Sequence, residues 1–326
     1  MTILITGAYG FVGTNLSHAL KENHTLWALD ILEKPNTAYS RYFSWKDLDA
    51  LPWEETELVI HLAGKAHDIK PRGRQCRDVA RNVSTKYFNI NTGLTQTIFD
   101  YFLQSKAKQF IFFSSVKAVA NRVEGDFLTE DVVPKPVGPY GESKMAAENY
   151  ILNKNRGIAG QARNDSKHVY ILRPCMIHGP GNKGNLNLLY NMVNKGIPWP
   201  LGAFENKRSF LSIDNLSYIV EQFILQNPES GVYHLADDEP VSTNELIKLI
   251  AESKGKKTKI WSCNKRFIKT IARIGDVCKL PLNSGSLQKL TENYVVSNQK
   301  VKQTLGIAQL PVASVEGLKR TLKTLP

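Results

Sequence analysis

Apolar residues fall along the first half of the chain in short blocks, separated by stretches with helical spacing. Thr2–Thr6 is a brief β-rich run, after which Val12, Leu16 and Leu20 recur on one helix face. Thr25–Asp30, Leu58–Leu62, Phe110–Phe113 and Val169–Leu172 are further strand-length runs. Helical patterns end at Ile98–Leu103 and span Ser143–Leu152 between them. Strands apolar on both faces belong inside a parallel sheet covered by helices. The pattern predicts an α/β fold, with a Rossmann-type doubly wound parallel sheet over residues 1–174.

Beyond Pro174 the pattern loosens. Gly179-Pro180-Gly181 and Pro198-Trp199-Pro200 punctuate it. Val232–Leu235 reads as one more strand, and Thr243–Ala251 and Val315–Leu322 read as helices. Residues 175–326 are expected to form a smaller mixed α/β lobe, with segments near 208–236 returning to the first sheet. Asn153–Lys167, polar and glycine-containing, reads as a surface loop.

Composition narrows the class of protein. The 326 residues, 42% of them hydrophobic, suit one large domain or two coupled ones. Apolar runs are strand-length, too short to cross a bilayer as a helix. Met1 leads straight into a strand, which predicts a cytoplasmic protein without a signal peptide. Cys76, Cys175, Cys263 and Cys278 lack metal-type spacing; free thiols and no metal site are expected. The net charge of +12 suits anionic partners. No nucleic-acid motif accompanies it, so nucleic acid is not expected as a partner. The charge gathers at Lys65, Lys70, Arg72, Arg74, Arg77 and Arg81, and again from Lys254 to Lys279.

Gly7, Gly10 and Gly13 lie between the first strand and the first helix. Glycines at this spacing let the chain turn sharply and let its backbone approach a pyrophosphate, which rests on the helix N-terminus at Phe11 and Val12. Asp30 closes the second strand. An acid there accepts hydrogen bonds from a ribose and repels a 2′-phosphate, which favours NAD over NADP.

Tyr140-Gly-Glu-Ser-Lys144 puts a phenol and an ammonium on one helix face. A tyrosine working as a base near neutral pH needs its pKa of about 10 lowered by roughly three units. A neighbouring lysine and the positive nicotinamide ring could supply that stabilisation. Ser114-Ser115 follows the apolar Phe110–Phe113 run, where a hydroxyl can hold a substrate oxygen beside the phenol.

With these elements the chain resembles the extended short-chain dehydrogenase/reductase family, in the NAD-dependent epimerase/dehydratase branch that includes UDP-glucose 4-epimerase. Gly7, Gly10 and Gly13 match its cofactor turn, and His61-Leu62-Ala63-Gly64 its fourth-strand signature. Asn91 and Thr95 match the following helix, although Leu94 stands where glycine is usual. Ser115, Tyr140 and Lys144 match the catalytic trio. Arg173-Pro174 and Gly179-Pro180-Gly181 match the junction with the substrate lobe, and the Arg208–Leu216 segment matches the one that holds a nucleotide diphosphate. Met176 departs from the asparagine common near the diphosphate. A second C-terminal arginine is missing, with Lys289 as a weak replacement.

The resemblance implies that Gly7, Gly10, Phe11, Val12, Gly13, Asp30, Leu62, Ala63, Gly64, Asn91, Tyr140, Lys144 and Pro174 hold NAD. It implies that Ser115, Lys117, Asn185 and Arg208 contact a nucleotide-diphosphate sugar. Val116-Lys117-Ala118 after Ser115 lacks the Asp-Glu pair of the family's 4,6-dehydratases, so elimination of water is not expected. The implied activity is a 4-epimerase of a UDP-hexose or UDP-N-acetylhexosamine passing through a 4-keto sugar, in a homodimer. A 4-ketoreductase using NAD(P)H needs the same residues; a non-enzymatic NAD-binding regulator would not need all three. In the second basic stretch Phe267, Ile271, Ile274 and Cys278 recur at helical spacing and predict an amphipathic helix. Either its apolar face packs on the lobe, or it rests on an anionic membrane.

Overall fold

In the computed structural model, residues 1–31, 33–66, 84–159, 167–182, 185–278 and 283–325 are described, the side chains of 156–159, 185 and 277 excepted. Seven strands form one sheet: β1 (Thr2–Thr6), β2 (Thr25–Asp30), β3 (Arg41–Ser44), β4 (Leu58–His61), β5 (Gln109–Phe113), β6 (His168–Pro174) and β9 (Gly231–Leu235). Their order is β3-β2-β1-β4-β5-β6-β9, and every pairing is parallel. Ile3 pairs with Leu26 on one side and Leu58 on the other, and Phe112 pairs with Ile171.

Because strands alternate their side chains, each contributes to two cores. Ile3, Ile5, Leu58, Ile60 and Ile111 lie in one cluster, and Leu4, Val59, Phe110 and Phe112 in the other. The strand order reverses direction at β1, between β2 and β4. That reversal opens a crevice at the carboxyl ends of the strands, where open α/β sheets take their ligands.

Past Pro174 the chain builds a small parallel pair, β7 (Met176–His178) with β8 (Phe210–Ser212), before β9 joins the large sheet beside β6. A separate cluster around Tyr190, Trp199, Phe210, Ile250 and Leu318 forms the core of this half. The Ile213–Gln226 helix packs on the Phe11–Leu20 helix and so ties the two halves together.

Two sequence expectations need correction. The helix expected over Ser143–Leu152 spans Pro139–Ala159. Residues 153–159 are helical although their composition suggested a loop: Lys154 reaches Asp100 at 3.6 Å, and Asn153 and Lys154 lie on the solvent side, where polar residues cost nothing. Lys167, just before β6, is half-buried rather than on the surface, its ammonium donating to the carbonyls of Phe102, Ser105 and Ala107; residues 160–166 lie outside the described residues. The edge strand β3 and the helices Asn185–Asn194, Ser284–Thr291 and Gln299–Leu305 escaped the periodicity reading. Lys70, Arg72, Arg74, Cys76, Arg77 and Arg81 lie outside the described residues, as does the side chain of Asn185.

Candidate active site

The turn after β1 is shaped by what its glycines lack. Gly7 has a φ of +67°, and a Cβ on it would stand 2.8 Å from Ala63 N. A Cβ on Gly13 would stand 2.5 Å from Ala8 O. Gly10 then caps the Phe11–Leu20 helix without a side-chain partner for its first N–H groups. Such a helix start carries unpaired donors and a positive dipole end, and suits a pyrophosphate. Asp30 stands beside the turn and accepts from Tyr9 N at 2.9 Å and Ile31 N at 2.7 Å. These features fit the dinucleotide: a bare backbone cradle with a carboxylate at the end of β2.

Behind the cradle lies a polar chain that explains the His61-Leu62-Ala63-Gly64 signature. Thr6 Oγ1 accepts from Ala63 N at 3.1 Å and contacts His61 Nδ1 at 2.6 Å. His61 Nε2 lies 2.9 Å from Thr95 Oγ1, which donates to Asn91 O at 2.6 Å. Thr95 therefore accepts from Nε2–H, and Thr6 donates to Nδ1. Burial, helped by Lys144, pushes the His61 pKa down to about 3, so the ring stays neutral. Asn91, in a π-helical turn over Phe88–Gly93, clamps the backbone of Lys65 on both sides and donates to Ser143 Oγ at 2.9 Å. This clamp joins the end of β4 to the helix that carries Tyr140 and Lys144.

That helix is fixed by a buried ion pair. Tyr140, Lys144 and Glu148 follow at four-residue spacing on one face. Glu148, fully buried, takes Arg173 Nε at 3.0 and 3.1 Å through its two oxygens, and also accepts from Ser114 Oγ. Lys144, also buried, donates to Phe113 O at 2.8 Å, and burial lowers its pKa to about 8. A Cβ at Gly141 would stand 2.4 Å from Lys117 O, so only glycine lets Tyr140 approach the Ser115 loop this closely. Ser115 Oγ accepts from Lys117 N at 3.2 Å, which leaves its O–H to donate. Burial raises the Tyr140 pKa, and a hydrogen bond with Ser115 pulls it back down.

These groups face a cavity of ≈ 550 Å³ at the strand ends. It brings together Gly7, Gly10, Phe11, Val12, Gly13, Leu62, Gly64 and Pro174 with Ser115, Lys117, Tyr140, Lys144 and Arg208. Asp30, Ala63 and Asn91 stand outside its lining, Asp30 beside the glycine turn and the other two in the hydrogen bonds behind it. Met176 lines it, as do Tyr294 and Ser209, which the sequence reading missed: both enter from segments remote in the chain, with no local motif to mark them. Tyr294 Oη donates to Ala120 O at 2.7 Å, and its ring lies 4.0 Å from Lys117 Nζ. Burial, then the charge of Arg208, lowers the Lys117 pKa to about 8; Glu292 partly offsets this and Lys289 adds to it. Arg208 Nη1 is held by the carbonyl of Lys289, so Lys289 anchors the arginine with its backbone. Two cations forced together at one end of a cavity create a positive field suited to a polyanion. Among the described residues no group of His, Cys, Asp or Glu could hold a metal ion.

The NAD dependent epimerase/dehydratase family model matches residues 3–236, and the chain belongs to that family. A UDP-glucose 4-epimerase of Vibrio cholerae is 32% identical over 98% of this chain and 94% of its own length. An N-acetyl-alpha-D-glucosaminyl-diphospho-ditrans,octacis-undecaprenol 4-epimerase of Escherichia coli O157:H7 is 25% identical over 98% of this chain and 94% of its own. The fold superposes on UDP-glucuronic acid 4-epimerase from Bacillus cereus, solved in complex with NAD, with a TM-score of 0.72 over 99% of this chain and 98% of that one at 19% identity.

Proposed function

We propose that this protein is an NAD-dependent 4-epimerase of a UDP-hexose or UDP-N-acetylhexosamine, working through a transient 4-keto sugar in a cytoplasmic homodimer. One observation carries the reading: Ser115, Tyr140 and Lys144 share a single cavity with the cations Lys117 and Arg208. The hydroxyls suit the sugar and the cations suit its diphosphate. The names of two relatives matched over nearly their whole length, both 4-epimerases, support it.

Bound NAD supplies the place where a hydride is kept and from which it returns. The chain's own residues do the rest. Tyr140 takes the proton from the sugar 4-hydroxyl and later gives it back. Ser115, one lone pair engaged by Lys117 N, directs its O–H at the same oxygen. Lys144, its ammonium on Phe113 O at the cavity wall, would hold the nicotinamide ribose. Arg208 grips the diphosphate through its planar fork, and Lys117 adds a second positive charge. Firm hold on the diphosphate with looser hold on the hexose lets the keto sugar turn its other face to the cofactor. Lys117 occupies the loop where water elimination would need acids, so dehydration is not part of the reaction.

The test is a panel of UDP-hexoses and UDP-N-acetylhexosamines, incubated with the purified protein and no added reduced cofactor. Interconversion of the 4-epimers is the expected result. Product that forms only when NADH or NADPH is added, in proportion to its oxidation, overturns the proposal in favour of a ketoreductase. Sedimentation velocity reads the homodimer.

A further inference from the structure

Between residues 254 and 273 the chain carries eight lysines and arginines and no acid. The next acid, Asp276, is engaged by Ser284 N at 2.9 Å and by the Ser284 hydroxyl. The Lys265–Cys278 helix buries Ile268, Ala272 and Gly275 and packs on the Ser284–Thr291 helix. Of the two placements the sequence left open for the apolar stripe, packing on the lobe does not hold: Phe267 is 61% exposed and Ile274 54%, Cys278 is exposed, and Ile271 alone is half-buried. Phe267 and Ile274 are seven residues apart and lie on the same side, two turns from each other. Trp261, 58% exposed, lies just ahead of the helix. Arg266, Lys269 and Arg273 run along the other flank, all exposed, and among the described residues no carboxylate forms an ion pair with them.

The outer surface of this helix is therefore half apolar and half cationic. Ahead of the helix in the chain, Lys256, Lys257 and Lys259 line, with Lys195, a cavity of ≈ 360 Å³, with Ile197 half exposed at its wall. Large apolar side chains beside the cations Arg266, Lys269 and Arg273 suit a surface that is anionic outside and apolar just beneath. Tryptophan is at home at the headgroup level, and lysines and arginines are drawn to anionic headgroups. A second copy fits this chemistry poorly: a two-fold interface would press the same cationic patch against itself.

We infer that this face docks on an anionic bilayer, with Trp261, Phe267 and Ile274 entering the headgroup layer and the flanking lysines and arginines on the lipid phosphates. Docking leaves the protein peripheral; no helix of the described residues is long and apolar enough to cross a membrane. The docked helix packs on the Ser284–Thr291 helix, whose Lys289 carbonyl holds Arg208. The substrate cavity is thus one helix away from the lipid surface.

The test is flotation of the full chain with phosphatidylglycerol–phosphatidylcholine vesicles and with phosphatidylcholine vesicles, at low and moderate salt. The wild type should float with the anionic vesicles alone, and less so as salt rises. One variant carries Trp261→Ser, Phe267→Ser and Ile274→Ser; the other carries Lys269→Glu and Arg273→Glu. Each should bind about tenfold more weakly or worse, with an unfolding midpoint matching the wild type's to show an intact fold. Failure of the wild type to float with anionic vesicles overturns the inference, as does equal binding by either variant. A dimer that the triple-serine substitutions dissociate assigns the face to a second copy, and tighter binding to an oligonucleotide assigns it to nucleic acid; each likewise overturns it.

Discussion

At the scale of single residues, the site is a set of hydrogen-bond roles with few alternatives. Ser115 gives one lone pair to Lys117 N and has one proton to donate. Tyr140 is its partner, buried enough that its pKa rises in the ligand-free protein. The sequence led us to expect Lys144 to lower it, yet its ammonium is committed to Phe113 O. Positive charge must therefore arrive with the cofactor, or by a shift of Lys144, before the phenol can act as a base near neutral pH. Tyr140→Phe keeps the ring and removes the proton carrier; turnover should fall about 100-fold or more while NAD stays bound. Near-normal turnover would remove Tyr140 from the mechanism. Lys117 and Arg208 should separate from it kinetically. Arg208→Ala should raise KM for the nucleotide sugar and leave NAD affinity alone; an unchanged KM would reduce Arg208 to a strut for the Lys289 carbonyl. Lys117 loses its charge as pH rises through about 8, so kcat/KM should fall above that pH. Lys144 titrates in the same range, so the distinguishing measurement is Lys117→Met. That variant should have a higher KM at neutral pH and a shallower alkaline limb, whereas an unaltered limb would assign it to Lys144 alone.

At the scale of elements, the question is what aims these side chains. Tyr140, Lys144 and Glu148 share one face of the Pro139–Ala159 helix, and the Glu148–Arg173 pair pins that face to β6. Removing one partner of a buried pair leaves the other charged and unpaired, at a cost of about 3–5 kcal/mol. Glu148→Ala should lower the denaturation midpoint by a corresponding amount, and a loss under about 1 kcal/mol would mean that water, or His234, whose Nε2 lies 3.5 Å from Arg173 Nη1, takes over Arg173. The glycine turn, the Ser115 strand end and the Tyr140–Lys144 spacing were legible in the sequence, because each is local and bound to a repeating element. The pairings that aim them were not. Glu148 reads as an ordinary helix residue until Arg173 arrives from β6, and Asn91 could be matched to a family position without revealing that it clamps the Lys65 backbone. Tyr294 and Ser209 come from segments whose contact with the cavity depends on the whole path of the chain. Edge strand β3 is short and half exposed, so it lacks the unbroken apolar run that marked the strands of the interior. The Lys265–Cys278 helix shows the same limit from the other side: its periodicity announced a helix, but which stripe faces the protein was settled by Ile268 and Ala272 rather than by Phe267.

At the scale of the whole molecule, the site is built at a cost in stability that pH should expose. Burial depresses both Lys117 and Lys144 to about 8 in the ligand-free protein, whereas an unfolded lysine titrates near 10.4. Between those values the folded chain binds fewer protons than the unfolded one, so stability rises with pH across that window. Below about pH 8 the two ammonium groups are charged in both states, and the folded protein bears their full desolvation cost. The tyrosines raised by burial, Tyr140 and Tyr294 among them, act with the opposite sign only above about pH 10. The denaturation midpoint of the cofactor-free protein should therefore climb as pH goes from about 8 toward 10 and then turn down. Lys117→Met should raise the midpoint at neutral pH and flatten the climb. A nucleotide sugar brings phosphates to a lysine that otherwise has only Glu292 to offset Arg208 and Lys289, so saturating ligand should also flatten it, by holding that ammonium charged in the folded state. A midpoint that falls steadily from neutral pH upward, or a climb untouched by Lys117→Met, would mean that the lysine is not held in a desolvated cavity waiting for a diphosphate.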